Sequence, residues 1–327
     1  MQHRIICLVL LYYILFISTH ILFVHANFPF FGYGVQSRTR QYHRLPLGLD
    51  AFGPEAIAFD CNDEGPYVGV SDGRILKWEG TSWNLFAVTS SNRSNTCDGT
   101  NSTPVEQKCG RPLGLKFNMK TCELYIVDSS YGLVKVGRDG GVATSLATGV
   151  QGIPFMFLND LDIDSESGAI YFTDTSSTYH RWEYLESIAT FEQSGRLIKY
   201  DMNTKALTVL LRDLYFANGV ALSKNKDFIL VAETSAFRVI RYWLNGPKLG
   251  TSEVFLKVDG LPDNINTNSK GDFWIAKVPT KPIKVDEYGN ILETLDTFHI
   301  TDSSDVFEFQ GNLWIGAVDQ PYVIYTT

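Results

Sequence analysis

The chain has 327 residues and a formal net charge of −8 spread without acidic or basic runs. Such a surface offers no electrostatic footprint for nucleic acid and would be repelled by anionic lipid, so small molecules are the expected partners. Apolar residues make up 44% and aromatic residues 13%, with abundant Gly, Tyr and Phe, which suits many short strands better than long amphipathic helices.

The N-terminus carries His3 and Arg4, then an apolar stretch from Ile5 to Val24 that ends in Val24-His25-Ala26 before Asn27. Small or apolar residues at the −3 and −1 positions make a signal-peptidase site after Ala26. The stretch is long enough for a signal anchor, but Ser18, Thr19 and His20 interrupt it. The expected organisation is a signal peptide over 1–26, a short segment over 27–44 and one propeller domain over 45–327, with no membrane attachment after cleavage.

Strand-like runs of one form then recur: Tyr67-Val-Gly-Val, Leu124-Tyr-Ile-Val-Asp, Ile170-Tyr-Phe-Thr-Asp, Ile229-Leu-Val-Ala-Glu, Phe273-Trp-Ile-Ala and Leu313-Trp-Ile-Gly. A shorter run precedes each and another β run follows each. The unit therefore has at least three short strands and repeats every 40 to 60 residues or so, the range of propeller blades. Six units predict an all-β, six-bladed β-propeller. The last unit stops at Thr327, and residues from Tyr42 to Leu49 are expected to supply its outer strand and remove an exposed edge.

Within this frame, Asn92-Arg93-Ser94 and Asn101-Ser102-Thr103 are glycosylation sequons in a polar loop, making Asn92 and Asn101 candidate sugar acceptors. Cys97 and Cys109 flank the same loop, and a disulfide between them would tie it down in an oxidising compartment. Cys61 and Cys122 fall in strand-like segments and are expected to be buried thiols. A long insert in blade three, from Ser176 to Ser194, carries His180, Trp182 and Tyr184; it either covers the channel mouth or packs only onto its own blade.

Aligned on their first strands, the repeats open at the channel with Glu55, Leu113, Asn159, Asn218, Asp263 and a residue near Ser303. Two carboxylates and two amide oxygens converging on one axis would repel unless a cation sat between them, and hard oxygen ligands of this number suit calcium. Asp160 and Asn264 stand beside two of these positions and could add or replace ligands.

Gly110-Arg-Pro-Leu-Gly-Leu, Val150-Gln-Gly-Ile-Pro-Phe, Gly195-Arg-Leu-Ile-Lys-Tyr-Asp, Arg241-Tyr-Trp-Leu-Asn-Gly-Pro-Lys and Leu261-Pro-Asp-Asn-Ile resemble the strictosidine synthase-like family of plants from about Leu45 to Thr327. The resemblance implies an amine–aldehyde condensation of the Pictet–Spengler type in vacuolar alkaloid biosynthesis, with Glu308 of blade six as the general base. A carboxylate there, desolvated at the channel, is expected to have a raised pKa. Where the synthases have Asn, Tyr and Gly, this chain has Glu55, Asn159 and Asn218, and in that respect it is similar to the paraoxonases and gluconolactonases. That similarity implies a catalytic calcium and hydrolysis of an ester or lactone. Leu113 stands where paraoxonases carry a histidine, and with Ala56 after Glu55 their second, structural calcium is not expected.

The favoured reading is a calcium-dependent hydrolase of a small ester or lactone in the secretory pathway, in the vacuole, the endoplasmic reticulum lumen or outside the cell. Glu55, Asn159, Asn218, Asp263 and Asn264 are its candidate metal ligands, and Asp263 or Glu308 its base. The alternatives are the synthase and a non-catalytic binding propeller.

Overall fold

A computed structural model describes residues 40–48, 50–295 and 302–327. The expected signal peptide, with Cys7, and Leu49 of the expected closing strand lie outside those residues. The described residues form six antiparallel blades, each opening on an innermost strand: Ile57–Ala58, Pro112–Phe117, Leu158–Asp164, Ala217–Leu222, Leu261–Thr267 and Asp305–Phe309. These strands touch in cyclic order, with blade six returning to blade one, so the architecture is a six-bladed β-propeller.

Closure follows from the chain's ends. Tyr42–Pro46 pairs antiparallel with Tyr322–Thr326, from Tyr42 opposite Thr326 to Pro46 opposite Tyr322, and completes blade six as its outer strand. Blades one to five also carry a fourth strand, such as Trp83–Val88, Leu207–Leu214 and Ser252–Lys257. Those outer strands are half-covered and mix apolar with charged residues, so their periodicity is weak. The middle strands, such as Ile229 to Val231 within Phe228–Glu233, are wholly buried between blades and read as the continuous apolar runs that reveal the repeat.

The acids that close several of those runs are structural. Asp72 pairs with Arg74, Asp174 with Arg196 and Glu233 with Arg238. Each pair joins the end of a blade's second strand to the start of its third.

The cysteines both meet and correct expectation. Cys97–Cys109 is a disulfide, but Cys61 and Cys122 are not thiols: they form a second disulfide across 61 residues. Both lie in turns, one after the innermost strand of blade one and the other before Leu124–Asp128 of blade two. Neighbouring blades bring those turns together, which no local pattern encodes.

Candidate functional site

The polar residues of the channel owe their position to a repeated irregularity. In blades two to five, the ladder between first and second strands slips where the innermost strand begins. The shifts fall between Pro112 and Gly114, Leu158 and Leu161, Ala217 and Val220, and Pro262 and Ile265. Leu113, Asn159, Asn218 and Asp263 are residues inside those shifts. A bulge frees a residue from the ladder and re-aims its side chain, and all four line one cavity of about 430 Å³. Close approach of the blades is part of the device: a Cβ on Gly219 would meet the backbone oxygen of Asp263 at 2.4 Å, and one on Gly316 the backbone oxygen of Pro54 at 2.5 Å.

Glu55 joins them from the segment before blade one, and Asp302 and Ser304, flanking the Ser303 position, from blade six. Asn264 is buried in the same bulge as Asp263 but does not line the cavity. Part of the wall is apolar: Leu113, Phe157 and Phe216 pack together with Ile188, and the two phenylalanine rings meet edge-on at 5.6 Å.

The blade-three insert covers part of this space. It folds into a short 3-10 helix over Arg181–Glu183 and an α-helix over Tyr184–Ala189, and Arg181, Tyr184 and Ile188 line the cavity. Arg181 is held by Glu106, which accepts from its Nε and Nη2 at 2.6 Å each and from the Ser129 hydroxyl at 2.9 Å. Glu106 belongs to the helical turn Glu106–Cys109 at the end of the Cys97–Cys109 loop, so that disulfide anchors the cover. His180 and Trp182 stack on each other instead. Glu106, Arg111 and Arg181 stand outside the repeat phase of Glu55, Asn159, Asn218 and Asp263, so the repeat carries no signal for them.

The cavity has more buried anion than cation. Burial pushes Glu55 up to about 7 against the pull of Arg111, whose Nη2 lies 3.8 Å from its carboxylate, and of Arg181. Asp263 rises well above the usual carboxylate range through burial and then the neighbouring Glu55 charge. In metal-free protein, folded Glu55 keeps its proton to higher pH than the unfolded chain, whose value is near 4.5. The stability present below pH 4.5 is therefore lost as pH rises through 7, by about 3 kcal/mol for this group. Denaturation in EDTA at about pH 5 and about pH 8 should show a smaller loss for Glu55→Gln than for the wild type by about 2.5 kcal/mol; equal losses would count against the shift.

Whether these residues suit a cation is decided by their unpaired atoms. Glu55 Oε2, Asn159 Oδ1 and Asn218 Oδ1 are buried without a hydrogen-bond partner. The two amides have a defined orientation. Thr175 gives its only proton to the Ala217 oxygen at 2.7 Å and Thr234 gives its own to the Pro262 oxygen at 2.7 Å. Towards the amides these hydroxyls can only accept, so Asn159 and Asn218 must present Nδ2 to them, at 3.2 and 3.1 Å. Both Oδ1 atoms are thereby left to the site. Among the described residues no three His, Cys, Asp or Glu side chains group as metal ligands; the set here is two carboxylates and two amide oxygens, a hard-oxygen set of the calcium type.

Glu308 departs from expectation. It is on the innermost strand of blade six but does not line the cavity. Its Oε2 accepts from Asn268 Nδ2 at 3.0 Å and Trp274 Nε1 at 2.8 Å. Although burial opposes it, these donors hold the pKa below the ordinary value, where a raised one was expected. Strand alternation explains the placement: Val306 packs beside Trp274 between blades, and Glu308 follows it on the same face.

Comparison with known proteins agrees with the motifs. The strictosidine synthase family model matches residues 159–247, and that of the strictosidine synthase-like N-terminal region matches 38–78. The strictosidine synthase-like 10 protein of Arabidopsis thaliana is 44% identical over 317 residues, covering 84% of this chain and 84% of its own. Strictosidine synthase-like 12 of the same plant is 41% identical over 302 residues, covering 88% and 90%. A gluconolactonase from Xanthomonas campestris superposes with a TM-score of 0.65 at 19% identity, covering 88% of this chain and 89% of its own. Regucalcin, a calcium-binding protein from Agrobacterium tumefaciens, does so with 0.63 at 15%, covering 86% and 92%. The two structural likenesses show the fold alone, whereas identity above 40% over most of both chains shows descent: the protein belongs to the strictosidine synthase-like family.

Proposed function

We propose that this family member is a calcium-dependent hydrolase of a small ester or lactone. The observation that carries the reading is the convergence of three buried oxygens that accept no hydrogen bond, Glu55 Oε2, Asn159 Oδ1 and Asn218 Oδ1, beside Asp263 in one cavity. Glu55, Asn159, Asn218 and Asp263 would hold the ion, with Asn264 in reserve next to Asp263. Calcium so held supplies a Lewis acid towards a substrate carbonyl.

Asp263 is the base by location, since it lines the cavity and Glu308 does not. It takes a proton from water as the water oxygen attacks the carbonyl carbon, and returns that proton to the departing alkoxide when the ester carbon–oxygen bond breaks. Buried Arg111, whose Nε has no partner, adds positive charge beside the developing oxyanion. The Leu113, Phe157 and Phe216 wall receives the apolar part of the substrate and, with the Arg181-anchored cover, limits bulk water. Two disulfides support a secretory-pathway destination, and Asn92 and Asn101, both exposed, are the proposed sugar acceptors.

The test is a panel of esters, lactones and amine–aldehyde pairs offered to the purified protein with calcium and with EDTA. Ester or lactone turnover lost in EDTA is the expected result. Amine–aldehyde condensation, or turnover indifferent to EDTA, would overturn the reading.

A further inference from the structure

A second charged cluster lies on the innermost strands outside the cavity lining. Asp160 of blade three and Asp305 of blade six, on opposite sides of the ring, are both almost fully buried. They do the same work. Asp160 Oδ2 accepts the Val220 N–H of blade four at 2.9 Å, and Asp305 Oδ2 accepts the Ile57 N–H of blade one at 2.9 Å, so each stitches its blade to the next. A cation nearby favours the charged form of two such buried carboxylates. Lys116, on the innermost strand of blade two, reaches across to blade five and donates from Nζ to Asn266 Oδ1 at 2.7 Å. Asn266 Nδ2 in turn donates to Asp305 Oδ1 and, at 3.2 Å, to the Val306 oxygen. Lys116 is also the charge that most strongly pulls both carboxylates back from the shift that burial imposes.

We propose that Lys116 is the chain's own central cation, standing where a metal ion would otherwise be needed to neutralise Asp160 and Asp305 and so to hold the inner ring together. Similarity to the paraoxonases raises a second, structural calcium, and the residues do not fit one here: Ala56 offers no ligand, and a tethered ammonium already reaches Asp305 through Asn266. A covalently attached cation has no dissociation constant, so chelators cannot remove it. The inference is independent of what the cavity catalyses.

Lys116→Met keeps the stem and removes the ammonium. In EDTA its melting temperature should fall by about 5–10 °C relative to the wild type. Part of that loss should return on adding Asp305→Asn, which removes the charge needing a partner. Melting within about 1 °C of the wild type, or a loss that Asp305→Asn does not relieve, would overturn the proposal. If Lys116→Met does not accumulate as folded protein, Lys116→Arg and Lys116→Gln decide: the arginine should preserve the melting temperature and the glutamine should not, and equal behaviour would refute a role for the charge.

Discussion

Replacing Glu55 by Gln or Asp263 by Asn should lower calcium affinity on the order of 100-fold and abolish calcium-dependent turnover, while the propeller stays folded. Each change removes one of the two negative charges that would face the proposed ion and keeps an oxygen of similar size. The effect is electrostatic, so it should appear in calorimetry as weaker binding and in melting curves as lost calcium response. A ligand that binds only the folded state, present at a hundred times its dissociation constant, stabilises by about 2.7 kcal/mol; the wild type should gain this and the variants little of it at the same concentration. Glu308→Gln is the control, because its carboxylate is bound to Asn268 and Trp274 outside the cavity. It should leave calcium affinity and turnover near wild type. An unmutated protein that binds no calcium would remove the hydrolase mechanism, and a Glu308→Gln variant that loses turnover would favour the synthase alternative.

The second large effect is expected from Cys61→Ala with Cys122→Ala. This bridge spans 61 residues, against 12 for Cys97–Cys109. Loop-closure entropy in the unfolded chain then gives about 4 kcal/mol for the long bridge and about 3 kcal/mol for the short one. The long bridge joins blade one to blade two, so its loss acts on global unfolding. The short one anchors the loop that carries Glu106, so its loss should act first on the Arg181 cover and on turnover. Denaturant midpoints, with turnover measured in parallel, separate the two. A long-bridge variant as stable as the wild type would show that the unfolded state is already constrained in other ways.

Much of the ring is legible in the sequence, because middle strands buried on both faces are apolar throughout and the turns between them favour Gly, Asn or Asp. That regularity brought out the six units, and the Tyr42 strand followed from the need to cover an edge. The channel residues Glu55, Asn159, Asn218 and Asp263 were legible for a related reason: they recur at one phase, and polar residues at the start of an apolar strand stand out.

Other features depend on contacts between residues far apart in sequence. Cys61 and Cys122 meet because two turns of adjacent blades meet. Glu106 and Arg181 meet because an insert from blade three folds over a loop of blade two. Lys116 finds Asn266 only across the closed ring. Glu308 shows the limit of resemblance: its strand was assigned, but alternation along Asp305–Phe309 turns its side chain to Trp274 and Asn268 in the seam between blades rather than to the channel. The amino-acid order by itself determined the repeat, its closure and the oxygen-rich phase, all carried by local hydrophobic and turn chemistry. That Glu308 stays out of the cavity, that Lys116 reaches Asn266 beside Asp305 and that Cys61 bonds Cys122 were decided only when the ring closed, because those outcomes depend on distances that exist only between blades.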